Sequence, residues 1–192
     1  MGALLGFAPF IGFVVIENLL GIVPGLVVGA LISIVLLVFD RLEGRGEVSI
    51  LEAGSAVMFT LLAGLAFRNG GEAWSLWRVR LWVDGGLLLI VVGSIVARRP
   101  FTLHHARRRV SAEVAASARF VHANSVLSGA WALAFAVLVA ADLLMVLRPE
   151  TPMRIAVWST VVALAAAAWF TKSYVQRARD QRTGSDIGAA AR

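Results

Sequence analysis

Six apolar runs, each 17 to 23 residues long, leave this chain few ways to fold. They lie near residues 4–20, 22–39, 50–67, 81–97, 125–147 and 155–171, and together cover 110 of 192 residues. A hydrocarbon core about 30 Å thick takes roughly 20 residues of helix to cross. A soluble domain of this size cannot hide so much continuous apolar helix and still present a polar surface to water. The alternation expected of membrane β-strands is absent from the sequence. The fold expected is therefore all-α: a polytopic transmembrane helix bundle of about six membrane segments.

The first run is the least regular. Pro9 falls inside it, and Glu17 and Asn18 stand near its end. The link Gly21-Ile22-Val23-Pro24-Gly25 is uncharged and has to turn sharply. A spanning hairpin and a re-entrant segment both fit, and the hairpin is the favoured expectation. No positive n-region precedes this run, which argues against a cleavable signal peptide. Gly6 stands where a myristoylation signal needs Ser or Thr.

Charge then sets the surroundings and the orientation. Charged residues make up only 16% of the chain, against about 25% in a typical soluble domain. The net charge is +6, and 17 of the 18 basic residues are arginine. A basic chain this oily matches anionic lipid rather than nucleic acid. No cysteine is present, which excludes disulfides, thiolate metal sites and cysteine nucleophiles. Basic residues concentrate in cytoplasmic loops. The loops after the second and fourth runs, with the C-terminal tail, hold 13 of the 18; the opposite side holds 5. That split predicts a cytoplasmic C-terminus and, with six spans, a cytoplasmic N-terminus. Trp74, Trp77 and Trp82 at one end of the fourth run suit the headgroup level.

An ionisable group in hydrocarbon costs about 2.5–3.5 kcal/mol on insertion scales, so each one needs a partner or a purpose. Glu17, Asn18, Arg78, Arg80, Asp84 and Asp142 all fall toward the same, outer end of their runs. Arg80 stands one helical turn before Asp84, on the same face. These six residues are a candidate polar cluster. It serves either as interhelical glue or as a proton or solute site.

Residues 100–124 form the one long connector. Leu103, Ala106, Val110, Val114, Ala118 and Val121 recur at helical spacing, and Arg107, Arg108, Arg109 and Arg119 crowd the rest of the surface. This pattern predicts an amphipathic helix near 101–122 lying on the inner membrane surface, a candidate lipid or partner site. His104, His105 and His122 lack the spacing of a metal centre. Small residues at spacing four (Gly21, Gly25, Gly29 and Ser33; Ser128, Ala132, Ala136 and Ala140; Ser159, Ala163, Ala167 and Thr171) predict close helix packing within the chain or between copies. Residues 176–192 read as a disordered polar tail. No nucleophile, phosphate-loop, zinc or dinucleotide signature occurs, so neither an enzymatic activity nor a cofactor is expected.

Several sparse motifs carry a family resemblance. They are Phe7-Ala8-Pro9-Phe10, then Trp77-Arg78-Val79 followed by Gly86-Leu87-Leu88, then Arg99-Pro100-Phe101. Glu113, Asn124, Trp131 and Phe135 complete the set. In order and loop size, over about residues 4–175, the chain resembles the bacterial intracellular septation protein A family, as a divergent member. The resemblance implies a multi-pass inner-membrane protein of cell-envelope maintenance and septation. It implies action through lipids and other envelope or division proteins, and it supplies no catalytic residues.

Overall fold

Pro9 opens the first helix instead of interrupting it. The computed structural model describes residues 6–42, 49–70, 74–107 and 110–190. In it α1 runs Ala8–Leu20, with the proline in the first turn. There the missing N–H costs nothing, because first-turn N–H groups have no partner inside the helix. At 13 residues α1 is about 20 Å long, short of a full crossing over its described length. Gly21, with φ of 101°, makes the turn into α2 (Ile22–Leu42). A residue with a Cβ is strained at that angle.

The remaining helices are α3 (Ile50–Arg68), α4 (Leu76–Val96), α5 (Phe101–Arg107), α6 (Ala112–Ala116), α7 (Ala118–Leu147) and α8 (Met153–Ala190). No strand occurs among the described residues. Among the described residues, five helices are long and apolar enough to cross a membrane: α2, α3, α4, α7 and the 153–178 part of α8. The chain is a multi-pass membrane protein with a helical-bundle fold.

Neighbours in space follow the order α1, α2, α3, α4, α7, α8. The short α1 also reaches inward. Phe10 and Phe13 pack on Phe59 of α3 at 5.2 and 5.9 Å between ring centroids. Phe7, just before α1, stacks on Trp131 of α7 at 5.2 Å. α1 thus packs one face on the bundle and leaves Ile11, Leu19 and Leu20 exposed, while Leu26, Phe59, Val79, Val91 and Phe135 are among the most deeply buried side chains. The outward faces are oily: Leu89 is 74% exposed, Leu133 70% and Trp169 68%. In a bilayer such side chains meet acyl chains, so their exposure carries no aqueous penalty.

In the small-residue ladder expected on α2, Gly21 falls in the turn with nothing within 4 Å of an added Cβ, while Gly25 and Gly29 are close-packing positions. Gly25 lets α1 approach until an added Cβ would stand 2.9 Å from Cβ of Glu17. Gly29 does the same for the Phe59 ring, at 2.7 Å.

Several boundaries differ from the sequence reading. α4 starts at Leu76, taking in the Trp77–Arg80 stretch, and α7 starts at Ala118 instead of near 125. Hydropathy marks the part of a helix inside hydrocarbon, and amphipathic Trp and Arg extend it past that limit. The single amphipathic helix near 101–122 is instead α5, α6 and the first turn of α7. Ser117 divides the last two: its hydroxyl accepts a hydrogen bond from the Phe120 N–H at 3.3 Å, an N-cap that starts a new helix. α8 continues to Ala190, where a disordered tail is expected beyond 176. Gln, Arg and Ala supply helix propensity over 176–182 only; Thr183, Gly184, Ser185, Asp186 and Gly188 do not.

Candidate polar site at one end of the bundle

Four helix ends meet near the Gly21 turn. The C-terminal turns of α1 and α7 lie beside the N-terminal turns of α4 and α8. Glu17 sits one turn before the end of α1, pressed against Gly25, and its residue is only 7% exposed. Arg80 comes from the second turn of α4. Its Nη2 donates to Oε2 of Glu17 at 2.9 Å, and this ion pair ties α1 to α4. The Arg80 guanidinium carbon also lies 5.6 Å from the Trp77 ring centroid, a cation–π distance.

Asp84 follows Arg80 by one turn, about 12 Å along the axis from the start of α4. Its carboxyl group comes within hydrogen-bonding reach of the Asp142 carboxyl on α7. Arg80 acts electrostatically on both. Asp142 is 5% exposed, and its Oδ2 is buried with no hydrogen-bond donor among the described residues reaching it. The Nε of Arg80 is likewise buried without an acceptor. Below the site, Trp77 packs against Ala141, Met145 and Ala156, closing the α4–α7–α8 junction.

Of the six residues in the candidate cluster, the structure brings together Glu17, Arg80, Asp84 and Asp142. Arg78 is exposed. Two residues along a helix is about 200° of rotation, so Arg78 points away from the face that carries Arg80. Asn18 is also exposed, and its Nδ2 donates to the Val14 carbonyl on its own helix at 2.6 Å. The direct meeting of the two aspartates was not read from sequence. Matching the depths of Asp84 and Asp142 from their helix ends was the signal available for it.

At the opposite end lies the connector. Phe101 and Leu103 are buried against the bundle. The Thr102 hydroxyl donates to the Asn124 carbonyl at 3.0 Å and lies 3.0 Å from the Ser128 hydroxyl. Ser94 Oγ accepts from the Phe101 N–H at 3.1 Å. Arg98, Arg99, Arg107 and Arg119 remain exposed around this docked segment. Arg108 and Arg109 lie outside the described residues. Two acidic residues near this end, Asp40 and Glu52, are buried at 7% and 5% exposure. Glu52 is in the first turn of α3, where the helix dipole favours a carboxylate. No group of three or more His, Asp or Glu able to hold a metal ion occurs among the described residues.

No family model matches the chain, and neither does any curated protein or solved structure.

Proposed function

We propose that this is a bacterial inner-membrane protein of envelope maintenance and septation that acts by binding lipid and other envelope or division proteins, without catalysis. The observation that carries this reading is the docked connector. Buried Phe101 and Leu103, and Thr102 bonded to Asn124, hold the segment against the bundle while its arginines stay exposed. A fixed basic shelf suits an anionic leaflet, where each basic residue gains about 1 kcal/mol. The arginine asymmetry supports a cytoplasmic shelf and cytoplasmic termini.

The family resemblance supports the same reading. Its sparse residues come from distant parts of the chain, yet Phe7, Phe101, Trp131 and Phe135 form one aromatic node. The test replaces Arg98, Arg99, Arg107 and Arg119 together with alanine. The expected result is loss of septal localisation and a weakened envelope, with membrane insertion intact. Normal localisation and a sound envelope in that variant would count against the proposal.

A second reading, proton- or solute-coupled transport, is favoured by one observation: the meeting of Glu17, Arg80, Asp84 and Asp142 inside the bundle. It requires a flux in proteoliposomes that is abolished by neutralising Asp84 or Asp142. Absence of any such flux across a broad solute panel would exclude it.

A further inference from the structure

We infer that Asp84 and Asp142 form a binding site for one exchangeable proton between α4 and α7; this deepens the transport reading by naming its proton site, and it is tested by a protonated carboxyl rather than by a flux. The argument starts with donors and acceptors. An ionised carboxylate can only accept hydrogen bonds. Two carboxyl groups within hydrogen-bonding reach of each other are joined only if one of them carries a proton. The second observation is the orphaned oxygen. Oδ2 of Asp142 is buried in a residue only 5% exposed, and no N–H or O–H donor among the described residues reaches it. A buried acceptor without a donor is costly, and a proton held by the pair supplies what the protein does not.

The surrounding charges leave that proton in place. Arg80, the cation acting on both carboxyls, is already bonded to Glu17 at 2.9 Å. The positive charge of Arg80 is thereby balanced by Glu17 and does not neutralise two further carboxylates. From α3, Arg68 at the helix end is exposed. Arg78 on α4, Arg148 and Glu150 between α7 and α8, and Arg154 in the first turn of α8 are exposed as well. They face water or headgroups at this end of the bundle.

Release is a simple exchange. The O–H bond of the shared carboxyl breaks, water takes the proton as hydronium, and two carboxylates remain. No electron changes hands. Asp84 is only half-buried, and the start of α4 lies about 12 Å away along the helix axis. Once both groups are ionised they repel across the α4–α7 contact, so occupancy of the site and packing of these two helices are linked.

The experiment uses the full chain in lipid nanodiscs, with infrared difference spectra recorded as pH is raised. The carbonyl stretch of a protonated carboxyl is the readout. The wild type is expected to show one such band, lost at high pH with release of one proton per chain. Asp84→Asn and Asp142→Asn are each expected to lose the band, because the new amide donates to the remaining carboxylate. If an Asn variant does not insert, Asp142→Glu serves instead, since lengthening the side chain shifts the band. A wild type without the band at any pH would overturn the assignment. So would a band unmoved by every aspartate substitution.

Discussion

Arg80 on α4 holds Glu17 on α1 at 2.9 Å, across 63 positions of sequence. The glutamate side chain is 4% exposed and the arginine 19%. Neither charge can be removed alone without stranding the other. Breaking a buried pair from one side costs about 3–5 kcal/mol, whereas replacing both partners is far milder. Arg80→Ala is therefore expected to destabilise the protein by about 3–5 kcal/mol, as is Glu17→Ala. The Glu17→Gln, Arg80→Gln double variant is expected to recover most of that loss. Reversible unfolding in mixed micelles, run as a double-mutant cycle, measures it. Additive single losses would show that the two side chains act separately.

The same pair depends on a glycine. A Cβ at Gly25 would lie 2.9 Å from Cβ of Glu17 and 3.1 Å from its backbone N and Cα. Backbone cannot step aside as a flexible side chain can. Gly25→Ala is expected to cost about 1–3 kcal/mol through overpacking and to pull Glu17 away from Arg80. In the Glu17→Gln, Arg80→Gln background the packing part of the loss remains while the electrostatic part disappears. An equal loss in both backgrounds would separate the hairpin from the ion pair.

At the other end, the connector stays docked through Thr102. Thr102→Val keeps the shape and removes the hydroxyl that bonds the Asn124 carbonyl and meets Ser128. A loss of about 0.5–1.5 kcal/mol is expected, the net worth of one hydrogen bond, because the Asn124 carbonyl keeps its donor within α7. The sharper readout is local: limited proteolysis in the 101–117 stretch is expected to accelerate while the spans remain protected. Unchanged cleavage would mean that Phe101 and Leu103 hold the segment by apolar packing alone.

Legibility in the sequence tracked the physics that writes each feature. Burial in lipid demands long apolar runs, so α2, α3, α4, α7 and α8 were each apparent from hydropathy. Helix ends were less apparent, because Trp77 and Arg80 belong to α4 yet lie outside the apolar window that locates it. The connector shows the limit of periodicity. Val110, Val114 and Val121 keep helical spacing across a break that Ser117 makes by capping a new helix. Four of the six cluster residues came together because depth can be counted from helix ends. Separating Arg80 from Arg78, or Glu17 from Asn18, needs the rotation of the helix as well. The contact of Asp84 with Asp142 needs the pairing of α4 with α7, which intervening helices α5 and α6 conceal.

The residues behind the family resemblance lead to the last prediction, because they also account for how α8 is attached. α8 packs chiefly on α7, and Trp131 of α7 adds one polar tie: its Nε1–H donates to Thr171 Oγ1 at 3.1 Å. The same indole stacks on Phe7 and lies 5.8 Å from Phe135, so the α1 entry and the α8 attachment share one side chain. Trp131→Phe retains an aromatic ring and removes only the donor. The interhelical bond it loses is worth about 0.6 kcal/mol on average in a membrane protein, too little to unfold the bundle. Enough is lost, however, for α8 to open more often around the buried Ala167. The chain has no cysteine, so an Ala167→Cys thiol reports on that position alone. A loss of about 0.6 kcal/mol corresponds to thiol labelling roughly threefold faster when Trp131→Phe is added. Equal labelling rates would show that small-residue packing along Ala163 and Ala167 holds α8 without help from the indole.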